Sequence, residues 1–292
     1  MRIVALDIGG TMIKTGLWNG EMLEEQRETE TRASEGGAAL MERMKELVHS
    51  YHDFDAIGIS TAGEVNTEDG SIFYANSNIP GYTGMPVKQI MEEEFHVPVA
   101  VENDVNAAAL GELRAGATVG CSNFLCLTYG TGVGGSIVMN GNVYPGASFS
   151  AGSFGGMVIH PEEKAGTDSL EGCYERCAST TGLVRRVKKV DASLDNGKKI
   201  FAAKDRPEIK EQIDAWIDDI CTGLVTLCCI FNPSKIILGG GVMAQEYVLS
   251  EVKRKVKVQI APGLRIVEIV PAKLANTAGL MGAVSLAEQL LA

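Results

Sequence analysis

The chain has 292 residues, 45% of them hydrophobic and 22% charged, an ordinary balance that excludes disorder or a fibrous repeat as its main theme. At roughly 150 residues per domain, this length suggests about two domains, enough to fold without a disulfide or a metal. The 26 basic residues face 37 acidic ones, for a net charge of −11, so general binding to nucleic acid or to an anionic membrane is disfavoured. No apolar run reaches the ~18–20 residues of a membrane span. The apolar stretch at residues 3–6 is too short for a signal peptide and runs into Asp7. Seven cysteines, an odd number without regular spacing, fit reduced and mostly buried thiols, and the expectation is a cytoplasmic protein.

In chain order, residues 2–7 read as a buried strand broken by a turn at Asp7-Ile8-Gly9-Gly10-Thr11. Residues 13–18 form a second strand, Asn19-Gly20 a hairpin signal, and residues 23–31 a third strand. Residues 35–51 carry apolar side chains at helical spacing, including Leu40, Met44 and Leu47. A short strand follows at 56–60. Residues 61–83, rich in Gly, Asn, Ser, Thr and Pro, read as one long loop, and loops of that length are often functional. A helix at 87–95, a strand at 97–101 and a helix at 106–114 come next. The theme then repeats: a strand at 123–128, a glycine turn at 129–135, and a hairpin of 136–139 with 143–144 around Asn140-Gly141. Helices are expected near 170–190 and 208–231, strands at 236–238 and 264–270, and a last helix at 278–291. The two strand–turn–strand units at 2–18 and 123–139 suggest an internal duplication. The basic cluster Arg185, Arg186, Lys188 and Lys189 reads as a solvated helix face.

The 34 glycines are the one excess, against about 20 in an average chain of this length, and their positions are informative. In the first turn, Gly9 and Gly10 let backbone approach a ligand, and successive N–H groups make an anion nest. Thr11 adds a hydroxyl, Lys14 a positive charge, and Asp7 a carboxylate able to hold Mg²⁺ through water; a plain hairpin explains the same residues equally well. Gly130, Gly132 and Gly135 formally satisfy G-x-G-x-x-G, but a dinucleotide fingerprint must open a helix, and this turn opens a hairpin. Phosphate binding would therefore use two β-hairpin turns, the arrangement of actin-like ATPases. The third cluster, Gly239-Gly240-Gly241, follows a buried strand and suits packing against an adenine ring, or simply a tight strand–helix turn. Glu102-Asn103-Asp104-Val105-Asn106 lies where a strand gives way to a helix. Capping accounts for part of it. A carboxylate there is also suited to take the proton of a hydroxyl whose own pKa is far above neutral.

Together these motifs resemble the ROK family (repressor, open reading frame, kinase). The matching segments are 7–11, 102–108, 130–135, 238–241 and 275–280, in family order and spanning nearly the whole chain. The resemblance implies an α/β fold of two actin-like (ribonuclease H-like) ATPase domains around a central cleft, read here as 1–116 and 117–275, with residues 276–292 packing back on the first. It implies transfer of the ATP γ-phosphate, with Mg²⁺, to a sugar hydroxyl, usually at C6. Asp104 matches the family's base and Asn103 its sugar-binding neighbour. Gly9, Gly10, Thr11 and Lys14 match the first phosphate loop, Thr131 and Gly132 the second, and Gly240 and Gly241 the adenosine side. Asn78 matches the loop that closes on the sugar, and Glu175 a later sugar contact. Dimers are common in the family, although no interface signal is visible in these residues.

The chain departs from the family pattern at one place. Many members carry Glu-x-Gly-His, whose Glu and His touch the sugar near C1 and C2, followed by Cys-x-Cys-Gly-x-x-Gly-Cys at a zinc site. Here Ser153 replaces the Glu and Gly156 the His; Gly166 and Asp168 replace the first two cysteines, and only Cys173 remains. One thiolate cannot close a tetrahedral zinc site, and the spacing of His160 and Cys177 matches no zinc pattern, so no structural zinc is expected. A site that stops hydrogen-bonding O1 and O2 no longer penalises their substitution. This favours a β-glucoside such as cellobiose, with glucose and N-acetylmannosamine as the alternatives. The family's repressors carry a helix-turn-helix segment before the first phosphate loop, which here begins at Asp7. A sensor without catalysis would lose Asp104 or a phosphate loop, and this chain has both.

Overall fold

The computed structural model describes residues 1–163 and 170–292. The chain divides into two compact units: Met1–Gly120 with Ile137–Ala151 and Lys273–Ala292, and Cys121–Ser136 with Gly152–Ala272. Residues 137–151 thus group with the first unit, whereas the sequence reading puts them in the second; the strand that starts in unit 2 runs on into them.

Unit 1 is built on a five-stranded sheet in the order β3-β2-β1-β4-β7. β1 (Ile3–Ile8) pairs antiparallel with β2 (Met12–Trp18) and parallel with β4 (Ala56–Thr61), which pairs parallel with β7 (Val99–Asn103). β1 is buried on both faces, as its unbroken apolar run requires. Val4, Leu6 and Ile8 join one core with Leu40, Met44 and Val48 of α1 (Gly37–His49). Ile3 and Ala5 face the other way, against Leu280, Ala283 and Val284 of α9 (Ala278–Leu290). The edge strand β3 (Leu23–Glu30) is largely exposed and carries charge along its length, which protects an unpaired edge from mispairing. α9 also packs closely on α3 (Asp104–Ala115).

The loop expected at 61–83 contains a small hairpin, β5 (Glu64–Asn66) with β6 (Ser71–Tyr74). Val65 and Ile72, too few to show a period, supply its buried face. α2 (Val87–Phe95) follows.

The second sheet has the order β10-β9-β8-β11-β12. β8 (Phe124–Tyr129) pairs parallel with β11 (Lys235–Gly239), and β11 parallel with β12 (Glu268–Pro271). β9 (Val133–Met139) begins earlier than expected, so Gly134 and Gly135 lie in the strand and the turn shortens to 130–132. β10 is only Asn142–Val143. β12 is likewise shorter than the 264–270 reading, because Pro262–Leu264 forms a single 3-10 turn. The helical region near 170–190 is two helices, α4 (Tyr174–Ala178) and α5 (Thr180–Lys188), separated by Ser179, whose side chain accepts from the Gly182 N–H. α6 (Gly197–Ala202), capped by Asn196, is too short to show periodicity and escapes the sequence reading. α7 (Pro207–Phe231) opens on a proline at its first turn and buries Ile213, Trp216, Ile220 and Leu224 along one stripe. α8 (Glu246–Gln259) follows the third glycine cluster. No described helix is long and apolar enough to cross a membrane.

Candidate active site

In unit 1 the first glycine turn joins β1 to β2. The Gly9 N–H donates to the Met12 carbonyl at 3.0 Å, closing the turn. Thr31, just past β3, pins it twice: its hydroxyl donates to the Gly9 carbonyl at 2.7 Å and its N–H to the Thr11 carbonyl at 2.8 Å. Gly10 is exposed, and a Cβ there would meet nothing within 4 Å, so the tip is free to receive a ligand. Asp7 lies at the end of β1, register partner of Lys14 on one side and Ser60 on the other. The Ser60 hydroxyl donates to Asp7 Oδ1 at 2.7 Å, and Lys14 Nζ lies 3.9 Å from Oδ2 while donating to the Asn276 carbonyl at 3.0 Å. Burial raises the Asp7 pKa, against the lowering effects of Ser60 and Lys14. Its hard oxygen donors suit Mg²⁺ held through water.

The 102–106 segment folds as its residue types dictate. Asn103 is the N-cap of α3: Oδ1 accepts from the N–H groups of Val105 and Asn106 at 2.9 and 3.2 Å. Its Nδ2 donates to the Gly63 carbonyl at 2.8 Å and to Asp104 Oδ1 at 3.0 Å. Both ends of this amide are therefore engaged within unit 1, and it orients the Asp104 carboxylate. Asp104 Oδ1 also accepts from the Val105 N–H at 2.8 Å. Oδ2 has no hydrogen-bond partner among the described residues. Burial, and then the negative charge of Asp7, push the Asp104 pKa up to about 6. Glu102 is buried behind them, accepting from the Asn103 N–H and from Asn106 Nδ2, and is structural.

Asn78 is exposed in the loop after β6, its N–H on Asn76 Oδ1 and its side chain without a partner among the described residues. That loop is anchored from below. Ile79 and Tyr82 are buried, and the Tyr82 hydroxyl pairs with Thr61 Oγ1 at 2.9 Å.

In unit 2 the turn between β8 and β9 is closed by the Gly130 N–H on the Gly132 carbonyl at 3.0 Å and held by the Thr180 N–H on the Gly130 carbonyl at 2.9 Å. Glu175, expected from family position beside the sugar, reaches this turn from α4: Oε2 accepts from the Val133 N–H at 3.1 Å. A Cβ on Gly132 would fall 2.1 Å from that oxygen, so glycine is required for the carboxylate to lie there. Gly240, at φ +100°, brings the third glycine cluster against β8, where a Cβ would sit 2.2 Å from the Tyr129 carbonyl. Thr131 and Gly241 line one pocket of about 710 Å³, whose walls add Val184, Asn196, Phe201 and Val242. An apolar wall with a few polar groups suits a purine nucleoside. Gly132 and Gly240 shape its surroundings without lining it. α6, missed in the sequence, supplies part of the wall.

Ser153 and Gly156 are both exposed, and a Cβ on Gly156 would meet nothing within 4 Å. Cys173 is buried, its thiol donating to the Gly156 carbonyl at 3.4 Å. Gly166 and Asp168 lie outside the described residues. With glycine at 156 and one cysteine at 173, the residues present do not fit the family's closed zinc site.

The ROK family profile matches residues 3–290. A β-glucoside kinase from Listeria monocytogenes is 36% identical, covering 97% of this chain and 96% of that protein. Among solved structures, a proposed N-acetylmannosamine kinase from Listeria monocytogenes shares 32% identity, a TM-score of 0.90 and the full length of both chains. A ROK glucokinase from Streptomyces griseus, solved with glucose and AMPPNP, shares 30% identity and a TM-score of 0.82 over 99% of this chain and 100% of that one. Two α/β units of the actin-like class carrying these turns make the chain a member of the ROK family. Within that family it is a sugar kinase, a phosphotransferase with a hydroxyl acceptor.

Proposed function

We propose that this kinase phosphorylates the C6 hydroxyl of a β-glucoside such as cellobiose, with Mg²⁺–ATP as donor. The observation that carries the substrate reading is the open space at Gly156, where the family pattern has a histidine that touches the sugar. With Ser153 also shortened, groups that would contact O1 and O2 are gone, and a C1 substituent finds room instead of a clash. The similarity to a β-glucoside kinase supports the same choice.

Asp104 is the base. Its Oδ1 is held by Asn103 and the start of α3, which leaves Oδ2 to accept the hydroxyl proton as the sugar oxygen attacks the γ-phosphorus and ADP departs. A carboxyl with a pKa of about 6 is ionised at neutral pH yet basic enough to help. The pocket lined by Thr131 and Gly241 takes adenosine, with Gly240 holding the shape behind it. The backbone at Thr131 and Gly132, and that at Gly9, Gly10 and Thr11 with Lys14, supplies phosphate donors, and Asp7 holds Mg²⁺ through water. Asn78 and Asn103 contact the sugar; for Asn103 this requires its amide to give up the Gly63 carbonyl. Ser153, Gly156 and Glu175 border the sugar's C1 and C2 side.

The test is a coupled ADP-release assay on glucose, cellobiose, a simple alkyl β-glucoside and N-acetylmannosamine. The β-glucosides should lead on kcat/KM by about tenfold or more. Leadership by glucose overturns the reading of positions 153 and 156 and leaves the kinase intact. Leadership by N-acetylmannosamine favours the second reading, which the TM-score of 0.90 to that proposed kinase supports.

A further inference from the structure

Away from every residue assigned above, unit 2 brings three metal-ligating side chains together from three separate segments. His160 ends the strand-like stretch after the 154–156 turn, Cys177 is in α4, and Asp219 is in α7. One ligand atom of each lies within 4.8 Å of the other two. Cys177 and Asp219 are buried and His160 is half-buried. The backbone fixes the histidine, since the N–H groups of Ile159 and His160 both donate to the Gly172 carbonyl, at 2.9 and 3.0 Å. Cys177 is held by its helix, and its N–H donates to the Cys173 carbonyl at 3.2 Å.

We propose that His160 Nε2, Cys177 Sγ and Asp219 Oδ1 form a binding site for a thiophilic divalent cation of the zinc class, with water as fourth ligand. The cation fastens the 157–160 stretch and α4 to α7. Shared chemistry and geometry argue for it over a plain ion-pair network. An ion pair between His160 and Asp219, 2.8 Å apart, has no use for a buried thiol. The groups around the ligands are those that a bound cation needs. The other ring nitrogen, Nδ1, faces Glu162 Oε1 at 2.9 Å, which orients the ring and keeps a proton on Nδ1 when Nε2 exchanges its own proton for a cation. The other oxygen of Asp219 is held by Arg186, which leaves Oδ1 as a single, oriented donor. Binding of a divalent cation releases two protons: the Cys177 S–H and His160 Nε2–H bonds break, both protons leave to solvent, and the Sγ–metal and Nε2–metal bonds form. Zinc takes sulfur, nitrogen and oxygen ligands in one tetrahedral set, and three protein ligands with one water is a recognised open form. The set shares none of positions 156, 166, 168 and 173, so it is distinct from the family's zinc site; it departs from the expectation of no structural zinc because the third ligand, Asp219, comes from a distant helix that the spacing of His160 and Cys177 does not reveal.

The experiment uses the full chain, freed of metal by dialysis against a chelator, and titrated with Co²⁺ and then Zn²⁺. The expected result is a thiolate-to-cobalt charge-transfer band that saturates at one ion per chain and is displaced by Zn²⁺. Cys177→Ser should abolish the band, whereas Cys121→Ser and Cys229→Ser should keep it. His160→Ala and Asp219→Asn should weaken cobalt binding by about tenfold or more. Zn²⁺ should also raise the melting temperature of the wild-type chain but not of His160→Ala. No saturable band, a band retained in Cys177→Ser, or a band lost in Cys121→Ser overturns the site. If Cys177→Ser does not fold, His160→Ala, at a half-buried position, decides the matter: unchanged cobalt affinity rejects the proposal.

Discussion

Asp104 combines two environments that pull its carboxyl in one direction. Burial and the neighbouring Asp7 charge raise its pKa to about 6, whereas the Val105 N–H and the Asn103 amide favour the ionised form without prevailing. Two outcomes follow from the sign. If Asp104 is the base, as proposed, it must be ionised, so kcat/KM should fall as pH drops through about 6, and Asp104→Asn should reduce kcat by at least about a thousandfold while sugar binding persists. A carboxyl whose folded pKa is raised above 3.8 costs nothing in stability below about pH 4. The cost grows between about pH 4 and 6 and is fully present above that. Asp104→Asn should therefore stabilise the fold by about 1–3 kcal/mol near pH 8, a gain that vanishes below about pH 4 in urea titrations. Asp7→Asn removes the second cause of the raised pKa, so the acid limb of the rate profile should move to lower pH. An unmoved limb would show that Asp7 does not reach Asp104 electrostatically. The Asn103–Asp104 position at the start of α3 was legible because the cap is written in one short motif. Ser60 and Thr31, which hold Asp7 and the glycine turn, were not, since a lone serine or threonine at a strand end carries no signal of its partner.

α3 and α9 pack backbone to backbone. A Cβ on Gly282 would fall 1.8 Å from the Ala107 carbonyl, and one on Gly111 would fall 2.2 Å from that of Ala278. Neither helix can yield alone, because α3 begins at the Asn103–Asp104 cap and Gly279 of α9 lies against the Asp7 carboxylate. Gly282→Ala should therefore cost about 2 kcal/mol or more, read as a lower urea midpoint, and should lower kcat because the shift reaches Asp7 and Asp104. An unchanged midpoint would mean that the helices separate freely. Helical period and length identified most helices, but not this contact. Elements shorter than about two turns or four strand residues, such as α6 and the β5–β6 hairpin, show too few apolar positions to reveal a period.

For the molecule as a whole, binding is linked to stability. ATP at about a hundredfold its Kd should add about 2.7 kcal/mol to unfolding if, as proposed, its adenosine enters the pocket lined by Thr131 and Gly241. Val184→Glu puts a charge into the apolar wall of that pocket. It should raise the KM for ATP and remove the ATP-dependent rise in melting temperature, while the rise caused by sugar remains. If both ligands still stabilise the variant equally, adenosine binds elsewhere.

The sequence by itself determined the α/β class, the two glycine turns, the Asn103–Asp104 cap and the family order of motifs from residue 7 to 280. Each of these is a local signal, written in neighbouring residues by backbone φ, capping geometry or period. Tertiary structure alone decided what lies beside what. Glu175 rests on the turn at Gly132 across 42 residues of chain, and His160 meets Asp219 across 59. The pocket lined by Thr131 and Gly241 draws its walls from four separate segments. Such contacts depend on how sheets and helices stack their buried faces, and many stackings satisfy the same apolar pattern until side-chain volumes select one.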